Sequence, residues 1–256
     1  MKNDDKKLEI LAQYEREASE KNSSEWFASG GSVRVPEGKA AHYFIERKVD
    51  EALKLVDMDI GRNADVLEIG CSFGHMTFLL AERFDSLIAV DLSPTSVDIA
   101  SSRLEKYGVD NVRFFVDDAE QLRNVEDGSC DVIFSFSTIR FCPDQEKALR
   151  AVHSKLRGNA VAIIDFPNPN SPWHLFIKAV SGIEKHVNDT LMSKQELVEM
   201  FNRCGFEVER VKTFLFTTKR LPSYLLPIFK MVDLVFERIP LVRDLGGIVV
   251  FKARRR

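Results

Sequence analysis

The chain has 256 residues, of which 45% are hydrophobic and 29% are charged, and its formal net charge is -3. These are ordinary values for a globular protein, and the slightly acidic balance excludes a general attraction to nucleic acid. The sequence contains no apolar run long enough to span a membrane, no signal-peptide pattern and no C-x-x-C pair among its four cysteines. We therefore expect a cytoplasmic protein with reduced thiols.

Residues 1–60 predict a helical N-terminal cap, and residues 61–256 predict the main domain. The first helical stretch is polar and ends at the glycine-rich break ASGGSVRVPEG. Helical spacing of apolar residues then resumes between Ala40 and Met58.

From Asp65 onwards, short apolar runs alternate with amphipathic segments. Continuous apolar runs are typical of strands that are buried on both faces, and strand–helix alternation is typical of a parallel sheet. Helices are predicted at 75–84, 94–107 and 143–157. The strand candidates, in chain order, are DVLEIG, SLIAVD, VRFFVD, DVIFSF, AVAIIDF, FEVERVKTFLF and GIVVFKAR.

Two capping signals support these boundaries. Ser93 precedes Pro94, which places a capping hydroxyl before a proline at the first helical position. Ser193 and Glu196 form a capping box, which predicts a further helix that ends near RCGF. Between the last two predicted strands, residues 217–246 form an insertion too long for a hairpin turn.

The stretch DVLEIGCSFGHMTF, residues 65–78, allows three interpretations. Gly70 to Gly74 fit the G-x-S-x-G elbow of α/β-hydrolases, with Ser72 as the nucleophile. Several strands normally precede that elbow, whereas this one follows the first strand. A dinucleotide-binding loop needs G-x-G-x-x-G, but Ser72 and His75 occupy its second and third glycine positions. The third interpretation is a glycine-containing loop between a strand and a helix that binds a nucleotide cofactor without phosphate groups.

Four motifs in order favour the third interpretation. VLEIGCSFGHMTFLLAERF, IAVDLSPTSVDIASSRL, VDDAEQL and DGSCDVIFSFSTIRFCPD follow one another along the chain. They resemble the motifs of class I S-adenosylmethionine-dependent methyltransferases of small molecules, including quinone- and isoprenoid-methylating relatives. The resemblance implies an enzyme with S-adenosylmethionine as cofactor. It also implies an α/β, Rossmann-like fold: a seven-stranded, mostly parallel sheet with helices on both faces, a helical N-terminal cap and a helical insertion before the last strand.

The resemblance also assigns cofactor contacts. Glu68 stands where the family's acid engages the methionine portion, and Asp91 where a carboxylate accepts hydrogen bonds from the ribose hydroxyls. Asp118 stands where an acid accepts from the adenine amino group, beside the backbone N–H of Ala119. Asp117 competes with Asp118 for this role.

The rest of the predicted cradle lies in the loops and the cap. Gly70 and Gly74 lack a Cβ and so let the backbone approach a ligand. Ser72 replaces a glycine that is common in the family, and we interpret it as loop lining rather than as a nucleophile. The other residues assigned to the cofactor are Tyr14, Cys71, Leu92 and Ser135.

The acceptor side is less defined. No N-P-P-Y or D-P-P-Y sequence follows the fourth strand, which argues against methylation of nucleic-acid bases. We expect transfer to oxygen or carbon of a small, lipid-like acceptor, with His174, His186, Arg140 and Asp165 as candidate acid–base or orienting groups and no metal site. The alternative is a non-catalytic cofactor-binding or interaction module of the same fold.

The insertion is more apolar than one buried stripe requires. It could pack on the cap, cover a second subunit or contact a membrane surface peripherally. Our hypothesis is that it covers the acceptor side and forms part of the acceptor pocket through five side chains: Leu225, Leu226, Phe229, Val232 and Phe236.

Overall fold

The computed structural model describes residues 2–22, 40–58, 60–172, 191–218 and 221–256, which contain one seven-stranded sheet. The apolar runs of the sequence form its strands, and the central ones are buried on both faces. In chain order the strands are β1 Val66–Ile69, β2 Leu87–Asp91, β3 Val112–Val116, β4 Cys130–Phe136, β5 Leu156–Pro167, β6 Phe206–Phe214 and β7 Ile248–Arg255.

Seven α-helices occur in the described ranges. They are α1 Lys2–Asn22, α2 Ala40–Leu53, α3 His75–Ala81, α4 Pro94–Tyr107, α5 Gln145–Lys155, α6 Lys194–Arg203 and α7 Leu226–Phe236. Both predicted caps are present. Ser93 accepts a hydrogen bond from the backbone N–H of Ser96, and Ser193 and Glu196 form the reciprocal capping box that begins α6.

The strand order is β3-β2-β1-β4-β5-β7-β6, and only β7 runs antiparallel to its neighbours. The order reverses between β1 and β4, and in open α/β sheets ligands bind at the carboxyl ends of the strands beside such a reversal. The predicted Rossmann-like class I fold is confirmed, including the helical segments at the N terminus and the insertion before β7.

The two N-terminal helices attach to the sheet in different ways. Helix α2 is part of the core, because Val49 and Ala52 pack in one cluster with Val66 and Leu80. Helix α1 is held at the start of α4, where the carboxylate of Glu15 accepts hydrogen bonds from Ser93 and Thr95. The division into a cap of residues 1–60 and a domain of residues 61–256 remains a prediction.

Helix α7 of the insertion packs on α2. Leu226 contacts a small cluster with Ala40 and Leu221, and Glu237 forms an ion pair with Arg47 at 2.6 Å. None of the described helices has the length and apolar character needed to cross a membrane.

Candidate cofactor and acceptor site

A cavity of about 1090 Å³ lies at the carboxyl ends of β1, β2, β3 and β4. The loops that follow these strands form its floor, and side chains of α1 and α2 form much of its wall. Drug-sized ligands occupy pockets of roughly 300–1000 Å³. The cavity is therefore large enough for a nucleotide-sized ligand together with a small second molecule.

The loop after β1 approaches the cavity because of its backbone conformation. Gly70 has a φ of 82°, and a Cβ at this position would lie 1.9 Å from Oγ1 of Thr138. The backbone N–H groups of Gly70 and Cys71 both donate to the carbonyl of Val90, which fixes the loop against β2. Only glycine fits at position 70, and the loop backbone lines the cavity.

Glu68 provides a buried carboxylate at the base of this loop. Its side chain is 1% exposed and lines the cavity, and Oε2 has no hydrogen-bond partner among the described residues. Burial raises the pKa of Glu68 to about 7. A buried acceptor with an unsatisfied oxygen favours a ligand that carries a positive charge or N–H donors there.

Asp91 lies at the end of β2 and also lines the cavity. One carboxylate oxygen accepts from the N–H of Ser72 at 2.8 Å and the other from the N–H of Ser93 at 3.0 Å. Burial raises the pKa of Asp91, and these hydrogen bonds oppose the rise. Because each carboxylate oxygen can accept more than one hydrogen bond, Asp91 retains the capacity to bind a pair of hydroxyl groups.

The two acids after β3 have different roles. Asp117 accepts from the backbone N–H groups of Asp118 and Asn124, so it closes its own loop. Both acids and Ala119 line the cavity, and Asp118 accepts from Lys7 of α1 at 2.6 Å. Burial would raise the pKa of Asp118, but its hydrogen bonds, first that from Lys7, hold it below its usual value.

Helix α1 also supplies a predicted residue, Tyr14, which lines the cavity with its ring edge against Phe141 at a centroid distance of 6.1 Å. Burial, with the nearby negative charge of Asp91, raises the pKa of Tyr14, so its hydroxyl is neutral and can donate a hydrogen bond. Cys71, Ser72 and Leu92 also line the cavity. The predicted cofactor residues that reach it therefore come from four separate parts of the chain: α1, β1 with the loop after it, the end of β2 and the loop after β3.

Two predicted residues lie elsewhere. Gly74 is not among the described residues that line the cavity. It lies against Phe78 and Phe114 instead, whose ring atoms are 2.9 and 3.2 Å from the position that a Cβ would occupy. Ser135 is fully buried within β4, between β1 and β5, and it too is absent from the described lining. Ser137, two residues later, reaches the cavity instead.

The end of the cavity beside β4 and β5 contains a polar group that the sequence did not reveal. Lys48 of α2 lies 2.8 Å from a carboxylate oxygen of Asp165, donates to Oγ of Ser137 at 2.9 Å and lines the cavity. Ser137 donates from its N–H and its hydroxyl to the other oxygen of Asp165. Both charged side chains are 2% exposed, and burial lowers the pKa of Lys48. Asp165, a predicted candidate, is not among the described residues that line the cavity, and it contacts Lys48, which is.

Of the other predicted catalytic candidates, Arg140 lines the cavity, with its guanidinium 4.3 Å from the centre of the Phe141 ring. His174 and His186 lie outside the described residues. Another histidine, His153, packs against Phe206 at a centroid distance of 5.3 Å and does not line the cavity, so it is not placed to serve Ser72 as the base of a hydrolase.

The insertion does not form the acceptor pocket that we hypothesised. Of the described residues of the insertion, only the first two, Thr217 and Thr218, line the cavity. Gly247 and Ile248, which follow the insertion, line it as well. The side chains of α7 face α2 or solvent instead, because Asp233 and Glu237 fix this helix to the chain around residues 215–217.

Comparison with known proteins agrees with this geometry. Residues 66–159 match the family described as "Methyltransferase domain". The chain is 26% identical over 182 residues to the uncharacterized methyltransferase YcgJ of Bacillus subtilis, a match that covers 68% of this chain and 72% of YcgJ.

Two solved structures show the same fold. A SAM-dependent methyltransferase of Thermotoga maritima superposes with a TM-score of 0.68 at 18% identity and covers 96% of this chain and 100% of its own. The geranyl diphosphate C-methyltransferase of Streptomyces coelicolor, in complex with S-adenosylhomocysteine, superposes with a TM-score of 0.61 at 16% identity. The match covers 84% of this chain and 80% of that enzyme.

The cavity suits S-adenosylmethionine. The unsatisfied oxygen of Glu68 fits its ammonium group, the carboxylate of Asp91 fits two ribose hydroxyls, and Asp118 can accept from an amino group. The matched family covers β1 to the start of β5, which is the part of the fold that carries these residues. The chain therefore carries a methyltransferase domain with the class I fold, and its cofactor is S-adenosylmethionine.

Proposed function

We propose that the enzyme methylates oxygen or carbon of a small, lipophilic acceptor that binds at the β4–β5 end of the cavity. The observation that carries this proposal is the buried ammonium group of Lys48 on the cavity wall, held by Asp165 and Ser137. The cofactor, when bound, supplies an electrophilic methyl group on a positively charged sulfur.

The charge at this end of the cavity argues for an acidic acceptor. Lys48 and Arg140 both line it, and a cation disfavours an amine that must approach as, or become, a positively charged product. An acceptor that loses a proton from oxygen, or from carbon next to a carbonyl, develops negative charge that Lys48 can stabilise by a charge-assisted hydrogen bond.

The arrangement around Lys48 leaves it able to do this. An ammonium group has three donors, and among the described residues Asp165 and Ser137 account for two of them. Asp165 and Ser137 also fix the direction of the side chain, so that Lys48 does not have to be reoriented when the acceptor binds. Asp165 is therefore a positioning residue.

The remaining walls support a lipophilic acceptor. Phe44 and Ile45 of α2, Phe136 of β4 and Phe141 line the same cavity. The Streptomyces coelicolor relative is named for a geranyl diphosphate substrate, which is an isoprenoid. We place the enzyme in the cytoplasm, because its four cysteines are free thiols.

The test is a methylation screen with labelled S-adenosylmethionine against a lipid extract and a panel of phenols, small carboxylic acids and amines. We expect labelled products on oxygen or carbon. The double variant Lys48→Met, Asp165→Asn should lower turnover by roughly a hundredfold or more, while the affinity for S-adenosylhomocysteine stays within about threefold. Removing both charges avoids leaving one buried without its partner.

A matched control is Lys155→Met, Asp127→Asn, which removes a lysine–aspartate pair 2.7 Å apart that does not line the cavity. This control should keep full turnover. Methylation of amines alone, or equal turnover in the Lys48 variant and its control, would contradict the proposal. Binding of the cofactor without any turnover would favour the non-catalytic module.

A further inference from the structure

The insertion carries a helix whose polarity is inverted. Ile228, Met231 and Val235 of α7 are 59, 66 and 46% exposed. Their spacings of three and four residues place them on one face of the helix, where they form an apolar stripe. Five further exposed apolar residues lie in α7 or in the short segments before and after it, and together we call these eight the outer face: Tyr224, Ile228, Met231, Leu234, Val235, Ile239, Leu241 and Leu245.

The polar side of the same helix is turned inward. Asp233 is 1% exposed and accepts hydrogen bonds from the N–H groups of Phe216 and Thr217 and from the Thr217 hydroxyl. Glu237 accepts from the N–H of Leu215 and pairs with Arg47. A helix in contact with water would place its acids outward and its apolar stripe inward. The outer face is therefore better suited to contact with an apolar partner than to contact with water.

Among the described residues, the charged side chains of the insertion that form no ion pair are basic. The three acids of residues 221–246 are engaged: Asp233 and Glu237 as above, and Asp244 with Lys194 at 2.7 Å. Arg238 and Arg243 are exposed and form no ion pair with a described residue. Lys230 is also exposed, with its ammonium group 5.0 Å from the centre of the Tyr43 ring.

This combination distinguishes between a membrane and a second copy of the chain. In a symmetric dimer the same patch meets itself, so the basic groups of one outer face would meet those of the other without a free acid to pair with. An anionic lipid surface provides both an apolar layer and negative charge, and amphipathic segments with basic flanks bind in its interface.

We propose that the outer face of the insertion docks the enzyme on the surface of an anionic phospholipid membrane. Thr217, Thr218, Gly247 and Ile248, at the two ends of the insertion, line the cavity. Docking there brings the cavity close to the lipid surface, which is where a lipophilic acceptor is concentrated. The docking does not depend on which acceptor is used, and a vesicle assay tests it without any turnover.

The experiment measures co-sedimentation of the full chain with vesicles of phosphatidylcholine alone and of phosphatidylcholine with about one third phosphatidylglycerol. We expect binding to the anionic vesicles that weakens with added salt. Ile228→Asp with Met231→Asp should lower the partition coefficient at least about tenfold, and Arg238→Glu with Arg243→Glu should do the same on anionic vesicles.

Val211→Asp is the matched control, because Val211 is an apolar residue 41% exposed on β6, outside the insertion. It should bind vesicles within about twofold of the wild type. All variants should retain their thermal unfolding transition and their affinity for S-adenosylhomocysteine, because the altered side chains are exposed and do not line the cavity.

Two results would overturn the proposal. In the first, the wild-type chain does not bind anionic vesicles but forms a dimer in sedimentation velocity, and the double variant Ile228→Asp with Met231→Asp dissociates that dimer. The outer face would then be an interface with a second copy of the chain. The other result is vesicle binding that neither double variant weakens.

Discussion

Replacing Glu68 by glutamine should change how the stability of the ligand-free enzyme depends on pH. Burial raises the pKa of Glu68 from 4.5 to about 7. A carboxyl group with a raised pKa binds its proton more tightly in the folded state, so its contribution to stability is complete below pH 4.5 and is lost as the pH rises to about 7. At about 1.4 kcal/mol per pH unit, the free energy of unfolding should fall by roughly 2.5 kcal/mol between pH 5 and pH 8 because of Glu68 alone.

Glu68→Gln keeps the size of the side chain and removes the titration. The free energy of unfolding, measured by urea denaturation of the ligand-free protein at several pH values, should therefore favour the variant over the wild type increasingly as the pH rises. The difference between the two proteins isolates Glu68 from other groups that titrate in the same range. Glu105→Gln, which changes an exposed glutamate on α4, is the control and should follow the wild type at every pH.

S-Adenosylhomocysteine extends this test to the site. Its ammonium group should favour the ionised form of Glu68, so saturation with the ligand should reduce the pH dependence that distinguishes the wild type from Glu68→Gln. If the two ligand-free proteins lose stability in parallel between pH 5 and pH 8, Glu68 is already ionised at low pH, and the argument from its unsatisfied buried oxygen fails.

Two further predictions concern the cofactor. Asp91→Ala should weaken S-adenosylhomocysteine binding at least about tenfold in calorimetry, because charge-assisted hydrogen bonds are lost. Ser72→Gly should leave this binding within about threefold, since Ser72 has a φ of 48° that glycine adopts without strain. The reverse ranking of the two variants would favour the nucleophilic elbow. Lys7→Met should strengthen the same binding about fivefold, because the partly exposed Lys7 pairs with the Asp118 carboxylate at 2.6 Å. Weaker binding by Lys7→Met would instead show that Lys7 helps to hold the ligand.

The sheet could be predicted because its signals are local. Each central strand is a continuous apolar run, and each of the helices α4 and α6 begins at a serine whose hydroxyl caps it. The carboxylates at the ends of β1, β2 and β3 follow from the same pattern, because the ends of neighbouring parallel strands meet at one edge of the sheet.

Gly74 and Ser135 show where this local reasoning stops. Both lie in motifs that contact the cavity, but whether a given residue faces a ligand or its own core depends on packing across the sheet. At Gly74 the space is filled by Phe114 of β3, and at Ser135 the alternation of β4 turns the hydroxyl away from the cavity while Phe136 and Ser137 line it. The hypothesis about the insertion was wrong for a related reason. Its composition predicted a large apolar surface, but it did not predict which side of α7 would pack against α2.

Lys48 is the most instructive omission, because the sequence contained half of the signal. In α2 and the turn after it, Phe44, Lys48 and Leu55 share one face, and a lysine in an apolar stripe must either reach water or find a buried partner. The partner, Asp165, is distant in sequence, and only the adjacency of β4 and β5 brings it to α2. A buried ion pair adds little to stability, since the cost of removing both charges from water offsets their attraction. The position of Lys48 on the cavity wall therefore supports the proposed contact with an acceptor rather than a contribution to folding.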